Sequence, residues 1–251
     1  MSYQTALVTG ASSGIGRGLA LALARRGTRV YVAARRRDRL RALVEEIEQA
    51  GGQAEAIVLD VADADATCEA VRALDQRDPL DLVIANAGVG TPTPTKRAAF
   101  SEVKQVLDVN LLGAVATLYG ALPGMVARDR GHLVGIASLA GFRGLPKFNA
   151  YSASKAALIT FLESMRVDLH RSEVAVTTIC PGFVRTEMTG ENGKLPFLVE
   201  CDDAVATILG AIDRRQAVCA FPLPTATAMR SVALLPESVY EFLITRAKLP
   251  Y

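Results

Sequence analysis

Two histidines, His132 and His170, are all the imidazole this chain carries, and they stand far apart in the sequence. That is too little for a histidine metal cluster, and it gives a Ser/His/Asp triad poor support. The four cysteines, Cys68, Cys180, Cys201 and Cys219, include no Cys-x-x-Cys pair, and a chain of 251 residues needs no covalent staple. Buried free thiols are expected. No sign of charge dominates: 28 basic residues face 26 acidic ones, so the composition demands neither nucleic acid nor an anionic membrane. No apolar run is clean enough to span a bilayer. The longest, Val106 to Ala127, is interrupted by Asp108, Asn110 and Pro123, which predicts a buried helix. The chain begins almost at once with a strand-like Tyr-Gln-Thr-Ala-Leu-Val-Thr and without a secretory leader, so a cytoplasmic location is expected. Repeats, linkers and low-complexity tracts are lacking too, which leaves one α/β domain over residues 1–251.

What is present alternates strand with helix. Tyr3 to Thr9 reads as a strand, followed by Gly10-Ala-Ser-Ser-Gly14-Ile-Gly16 and a helical run from Arg17 to Arg26. Glycines let a backbone turn tightly against a ligand, and the first amides of a helix offer partial positive charge to a pyrophosphate. A second strand, Thr28 to Ala34, ends in Arg35, Arg36 and Arg37 where an NAD-selective site would carry an acid. An arginine there suits the 2′-phosphate of NADP, although Arg36, Arg37, Arg39 and Arg41 also suit the solvated start of a helix. Further strands are read at Ala54 to Leu59, closing on Asp60-Val61, and at Leu80 to Ala85, closing on Asn86-Ala87-Gly88. Singly, Asp60 suits a helix cap and Asn86-Ala-Gly a tight turn. Together they fall on one rim, because a parallel sheet built from βαβ units binds ligands at its carboxyl ends.

A long helix is predicted from Ser101 to Arg128, bent near Gly120 or Pro123, with Asn110 in its apolar part. His132 to Ser138 reads as the fifth strand, placing Ser138 on the same rim. Tyr151 and Lys155 follow, four apart on a helix and so on one face. A phenol titrates near 10 and is a poor acid/base at neutral pH; a neighbouring ammonium would lower its pKa. After the strand Ser172 to Cys180, the segment Phe183 to Val199, with Gly190, Asn192 and Gly193 among Met188, Leu195, Phe197 and Leu198, suits a flap over a substrate. A helix from Asp202 to Arg214 and a strand from Ala217 to Phe221 lead to an apolar tail.

Taken in order, Thr9-Gly10-x3-Gly14-x-Gly16, Asp60, Asn86-Ala-Gly88, Asn110, Ser138, Tyr151-x3-Lys155 and Pro181-Gly182 with Thr186 resemble the short-chain dehydrogenase/reductase family over almost the whole chain. One departure is Ala85, where the family usually has a first asparagine. The resemblance implies a Rossmann-type, doubly wound parallel sheet of about seven strands in three α/β/α layers. It implies hydride transfer between nicotinamide and a carbonyl or alcohol carbon, with Tyr151 as acid or base, Lys155 tuning it and holding ribose, Ser138 polarising the substrate oxygen and Asn110 supporting a proton-relay water. NADP(H) would lie on Gly10, Ser12, Ser13, Gly14, Ile15 and Gly16. It would reach Arg35 and Arg36 at the 2′-phosphate, Asp60 and Val61 at adenine, Asn86, Ala87 and Gly88 at ribose, and Pro181, Gly182, Val184 and Thr186 at nicotinamide. An NADPH sensor without turnover is the competing reading, and retention of both Tyr151 and Lys155 argues against it. The ending, Phe221-Pro-Leu-Pro and then residues 222–251, lacks the Asp-Gly-Gly turn of β-ketoacyl carrier-protein reductases. It resembles the ends of relatives acting on lipophilic carbonyls, which implies a lipophilic aldehyde or ketone and a homodimer in place of the tetramer. Met229, Leu234, Leu235, Phe242 and Leu243 are expected to close over the substrate, or to touch a partner or a membrane surface.

Overall fold

Five consecutive buried residues, Thr5–Thr9, form strand β1 in a computed structural model that describes residues 3–190 and 195–246. Strands β4 (Leu82–Ala85) and β5 (Gly131–Ile136) are buried at every position as well. Continuous apolar runs of this kind belong to parallel strands covered on both faces. Around them lie β2 (Arg29–Ala34) and β6 (Val174–Pro181), with β3 (Gln53–Val58) and β7 (Val218–Phe221) at the two edges. All pairings are parallel, in the order β3-β2-β1-β4-β5-β6-β7. This is the doubly wound sheet expected. The jump from β1 to β4 is its switch point, where a crevice opens at the carboxyl ends.

Side chains alternate across each strand and so build two cores. Val8, Val32 and Ile84 face α1 (Gly14–Arg25), α2 (Arg37–Gln49) and α7 (Cys201–Asp213). Leu7, Tyr31, Val83 and Leu133 face α3 (Ala64–Arg77), α5 (Gly113–Ala127) and α6 (Asn149–Asp168). Helix α2 shows the sequence logic: Leu40, Leu43 and Ile47 fall on one stripe and are buried while its other face is charged. Helix α3 is started by Asp63, whose carboxylate accepts from the Ala66 amide at 3.1 Å.

Three expectations need correction. The single helix from Ser101 to Arg128 is two, α4 (Phe100–Leu107) and α5, joined by a π-helical turn at Asp108–Leu112. The break falls at Asn110 and not at Gly120 or Pro123. Asn110 is fully buried, and its amide must meet the main chain of Val89, which a regular turn does not present. Within Phe100–Ala127 an 18-residue window reaches a mean hydropathy of 1.5, enough for a membrane span, but 56% of that window is buried inside the fold. The fifth strand stops at Ile136, so Ser138 lies beyond it and caps a short 3₁₀ turn, its hydroxyl accepting from the Ala140 amide at 3.1 Å. The tail is helical: α8 (Leu223–Ala233), with Pro224 in its first turn, and α9 (Glu237–Arg246). Of the four free thiols Cys180 is buried, while Cys68, Cys201 and Cys219 are part-exposed.

Candidate active site

Along the switch point the backbone itself makes a cradle. Gly10 and Gly14 hold φ values of +67° and +53°, which turn the chain from β1 into α1. A Cβ on Gly16 would lie 2.5 Å from the Gly10 carbonyl oxygen and 2.4 Å from Asn86 Nδ2, so no side chain fits there. Asn86 spends its own amide on this turn, donating to the Thr9 carbonyl at 2.9 Å, and Thr9 Oγ1 accepts from the Asn86 amide at 3.1 Å. The end of β4 thereby braces the end of β1. From this turn a cavity of about 680 Å³ runs across the rim, with Asp60 and Val61 at one side and Pro181, Gly182, Val184 and Thr186 at the other. Ile15, Ala87 and Gly88 line it too. The glycine floor, the free helix start and the nearby guanidinium groups suit a dinucleotide with a phosphorylated ribose.

Beyond Ala34 the arginines divide their work. Arg35 lies 3.7 Å from Asp60, both of them exposed. Arg36 folds back on the glycine turn, giving Nε and Nη2 to Ser12 Oγ at 3.1 and 2.8 Å and Nη2 to Ser13 Oγ at 2.7 Å. Ser13 lines the cavity, while Ser12 is buried and does not.

Ser138, Tyr151 and Lys155 converge on the cavity from two elements. The Tyr151 phenol stands beside Ser138, whose hydroxyl draws its pKa down, but burial is the larger effect and raises it above the usual 10. Lys155 is buried in α6, its Nζ donating to the Ile136 carbonyl at 2.8 Å and lying 5.9 Å from the Tyr151 ring centroid. Burial pulls the ammonium down to about 8. The sequence-based expectation that this cation lowers the phenol pKa does not hold in this arrangement. Desolvation outweighs the pull of the Ser138 hydroxyl, and the lysine head is turned to a carbonyl at the end of β5. Asn110 is one layer behind: its Oδ1 accepts from the Val89 amide at 2.8 Å, and Nδ2 donates to Val89 O at 3.0 Å and Ser154 Oγ at 3.2 Å. Its side chain braces the loop after Gly88.

The far end of the cavity is apolar. Leu145 and Phe148 come from the loop before α6, and Met188 and Leu195 from the expected flap, whose Asn192 and Gly193 lie outside the described residues. The tail supplies Thr225, Met229, Val232, Tyr240 and Ile244. Only Met229 among the tail residues singled out in the sequence lines this wall. Leu234, Phe242 and Leu243 are 86%, 56% and 51% exposed and point elsewhere. Helical spacing was the signal: Thr225, Met229 and Val232 share one face of α8, and Tyr240 and Ile244 one face of α9. The tail is pinned to the loop after Ser138, the Arg143 guanidinium sitting 4.6 Å over the Tyr240 ring while the Tyr240 hydroxyl donates to the Gly144 carbonyl. Glu187, which also lines the cavity, had no signal in the sequence beyond its place after Thr186.

Comparison with known proteins agrees with this geometry. The sequence model described as "short chain dehydrogenase" matches residues 4–195. An uncharacterized oxidoreductase of Myxococcus xanthus is 54% identical over 243 residues, 96% of both chains. A 3-oxoacyl-[acyl-carrier-protein] reductase of Synechocystis is 36% identical over 79% of this chain and 81% of its own. Among solved structures, a short-chain dehydrogenase from Sphingobium yanoikuyae in complex with NADPH superimposes with a TM-score of 0.82 at 27% identity, covering 98% of this chain and 97% of the other.

Proposed function

The chain belongs to the short-chain dehydrogenase family and is an NADP(H)-dependent oxidoreductase, and we propose that it reduces a lipophilic aldehyde or ketone at Tyr151. The observation that carries the substrate class is the wall formed by Leu145, Phe148, Met229, Val232 and Ile244 on the Tyr151 side of the cavity. Such a lobe favours substrate by the apolar area it takes from water.

The residues then divide the chemistry. A bound NADPH would supply the hydride, held on the Gly10–Gly16 turn and by Arg35 and Arg36. Tyr151, protonated at neutral pH, donates its phenol proton to the substrate oxygen. Ser138, which lines the cavity beside Tyr151, shares that oxygen and fixes its position. Lys155 places positive charge beneath the pair, and Asn110 holds the Val89 loop that closes the cavity floor.

The test is NADPH consumption across straight-chain aldehydes of increasing length. We expect kcat/KM to rise roughly three- to fourfold per added methylene until the lobe is full. Val232→Trp, which shortens the lobe, should end the rise earlier. A flat or falling series in the unaltered protein overturns the substrate class.

A further inference from the structure

Arg36 and Arg39 converge on one carboxylate that belongs to a distant part of the chain. Arg36 Nη1 donates to Glu187 Oε2 at 3.0 Å and Arg39 Nη1 to Glu187 Oε1 at 2.5 Å, one oxygen to each guanidinium. The same Arg36 head grips Ser12 and Ser13 at the glycine turn, so the carboxylate is held beside the phosphate cradle. Two guanidinium groups on a single anion, with the Ser12 and Ser13 hydroxyls beside them on Arg36, form a set larger than a carboxylate needs. It is suited to a phosphate monoester, which has three terminal oxygens and nearly twice the charge. Glu187 lines the cavity next to Met188 and one residue past Thr186, on the segment that follows β6.

We infer that Glu187 is an internal stand-in for the ribose 2′-phosphate: in the ligand-free protein its carboxylate holds Arg36 and Arg39 and ties the Thr186–Met188 segment across the cofactor groove. NADP(H) must exchange phosphate for carboxylate at these arginines, which frees the segment. NAD(H) brings only a 2′-hydroxyl and leaves the ion pairs intact. Glu187 therefore lowers affinity for NADP(H) while keeping the arginines ordered, and it sets how strongly the site prefers the phosphorylated cofactor. This rests on the NADP(H) reading of the site, and the test separates the two.

Dissociation constants of NADPH and NADH are measured by quenching of cofactor fluorescence for the unaltered protein and for Glu187→Gln, Glu187→Ala and Arg36→Ala. Glu187 is exposed, so neither replacement threatens the fold. Both should bind NADPH about three- to tenfold more tightly, the size of one or two exposed ion pairs no longer competing, with NADH changed less than twofold. Backbone amide exchange of residues 185–190 in the ligand-free protein should quicken in Glu187→Gln, and the difference should vanish with NADPH bound. If Glu187→Gln leaves the NADPH constant within twofold, or weakens it, the stand-in role is overturned. If Arg36→Ala leaves the preference for NADPH over NADH untouched, the cofactor reading of these arginines fails instead.

Discussion

The two ends of the sheet bury the same kinds of groups and treat them oppositely. At the amino ends of the strands His132 is fully buried, yet both ring nitrogens are bonded, Nδ1 to the Tyr3 hydroxyl at 2.7 Å and Nε2 to Thr177 Oγ1 at 2.8 Å. Nearby Asp75 takes the Leu80 amide at 2.9 Å and a two-pronged Arg128 at 2.7 and 3.0 Å. At the carboxyl ends Lys155 is as deeply buried, but its three-proton ammonium gives one bond to a backbone carbonyl and stands at the wall of a cavity. Burial shifts both bases the same way, His132 to about 4 and Lys155 to about 8. One end closes its polar groups on one another and serves stability. The other leaves donors turned toward a space where a ligand completes them, which is how perturbed groups at a functional site differ from those of a structural network.

Tyr151→Phe tests that contrast most severely. The phenol proton is the one group on the rim that the proposed chemistry consumes, so carbonyl reduction should fall by about 10²- to 10⁴-fold. Stability should stay level or rise, because the hydroxyl stands at the cavity wall beside Ser138, where removing it costs the fold little. Turnover compared with thermal unfolding decides the matter. A rate within a few-fold of the unaltered enzyme would remove Tyr151 from the chemistry, and a parallel loss of stability would make the rim a structural network like the opposite edge.

The same contrast explains what could be read in advance. Buried parallel strands are unbroken apolar runs bounded by glycine or asparagine, so Leu82–Ala85 and the turn at Gly10 were legible, and most helix ends fell within a residue or two of their place. Tyr151 and Lys155 were legible because one helical turn joins them. The sign of the Tyr151 shift was not, because it depends on how much protein surrounds the phenol, and that is set by residues from β5, β6 and the tail. Glu187 and Arg36 are brought together only by the folded sheet. The tail was misread for a simpler reason: Pro236 interrupts its apolar pattern, and outward residues such as Leu234 and Phe242 hide the inward face.

Lys155→Met gives the next largest effect, visible in stability. The lysine titrates near 8 in the folded protein and near 10.5 in the unfolded chain. Between those values the unfolded state holds a proton that the folded state has released, so this group makes stability rise with pH. The burden of a buried cation is full below pH 8 and gone above 10.5. Measured by denaturant unfolding at each pH, the unaltered protein should gain on Lys155→Met by about 3 kcal/mol across that window. A difference that stays constant with pH would show that Lys155 keeps an ordinary pKa and that the rim is better solvated than its burial implies.

His132→Gln probes the opposite edge, and its window has the same sign at lower pH. Burial, with the Arg215 guanidinium adding to it, holds the imidazole near 4 in the folded protein against 6.5 when unfolded. The neutral ring's contribution is complete above pH 6.5 and is lost as the pH falls toward 4, because the unfolded state then binds the proton first. Over the accessible part of that range, from pH 6.5 to 5, the stability advantage of His132 over the glutamine variant should shrink by at most about 2 kcal/mol. The change is smaller than at Lys155 because a narrower part of the titration is sampled before protonation of the protein's carboxylates unfolds it. If the advantage instead held steady down to pH 5, the folded His132 would be taking up its proton near 6.5, with the Tyr3 and Thr177 hydroxyls turning to accept from an imidazolium. The amino edge would then be the adaptable end of the sheet, and the contrast with the Lys155 rim would lie in access to the cavity alone.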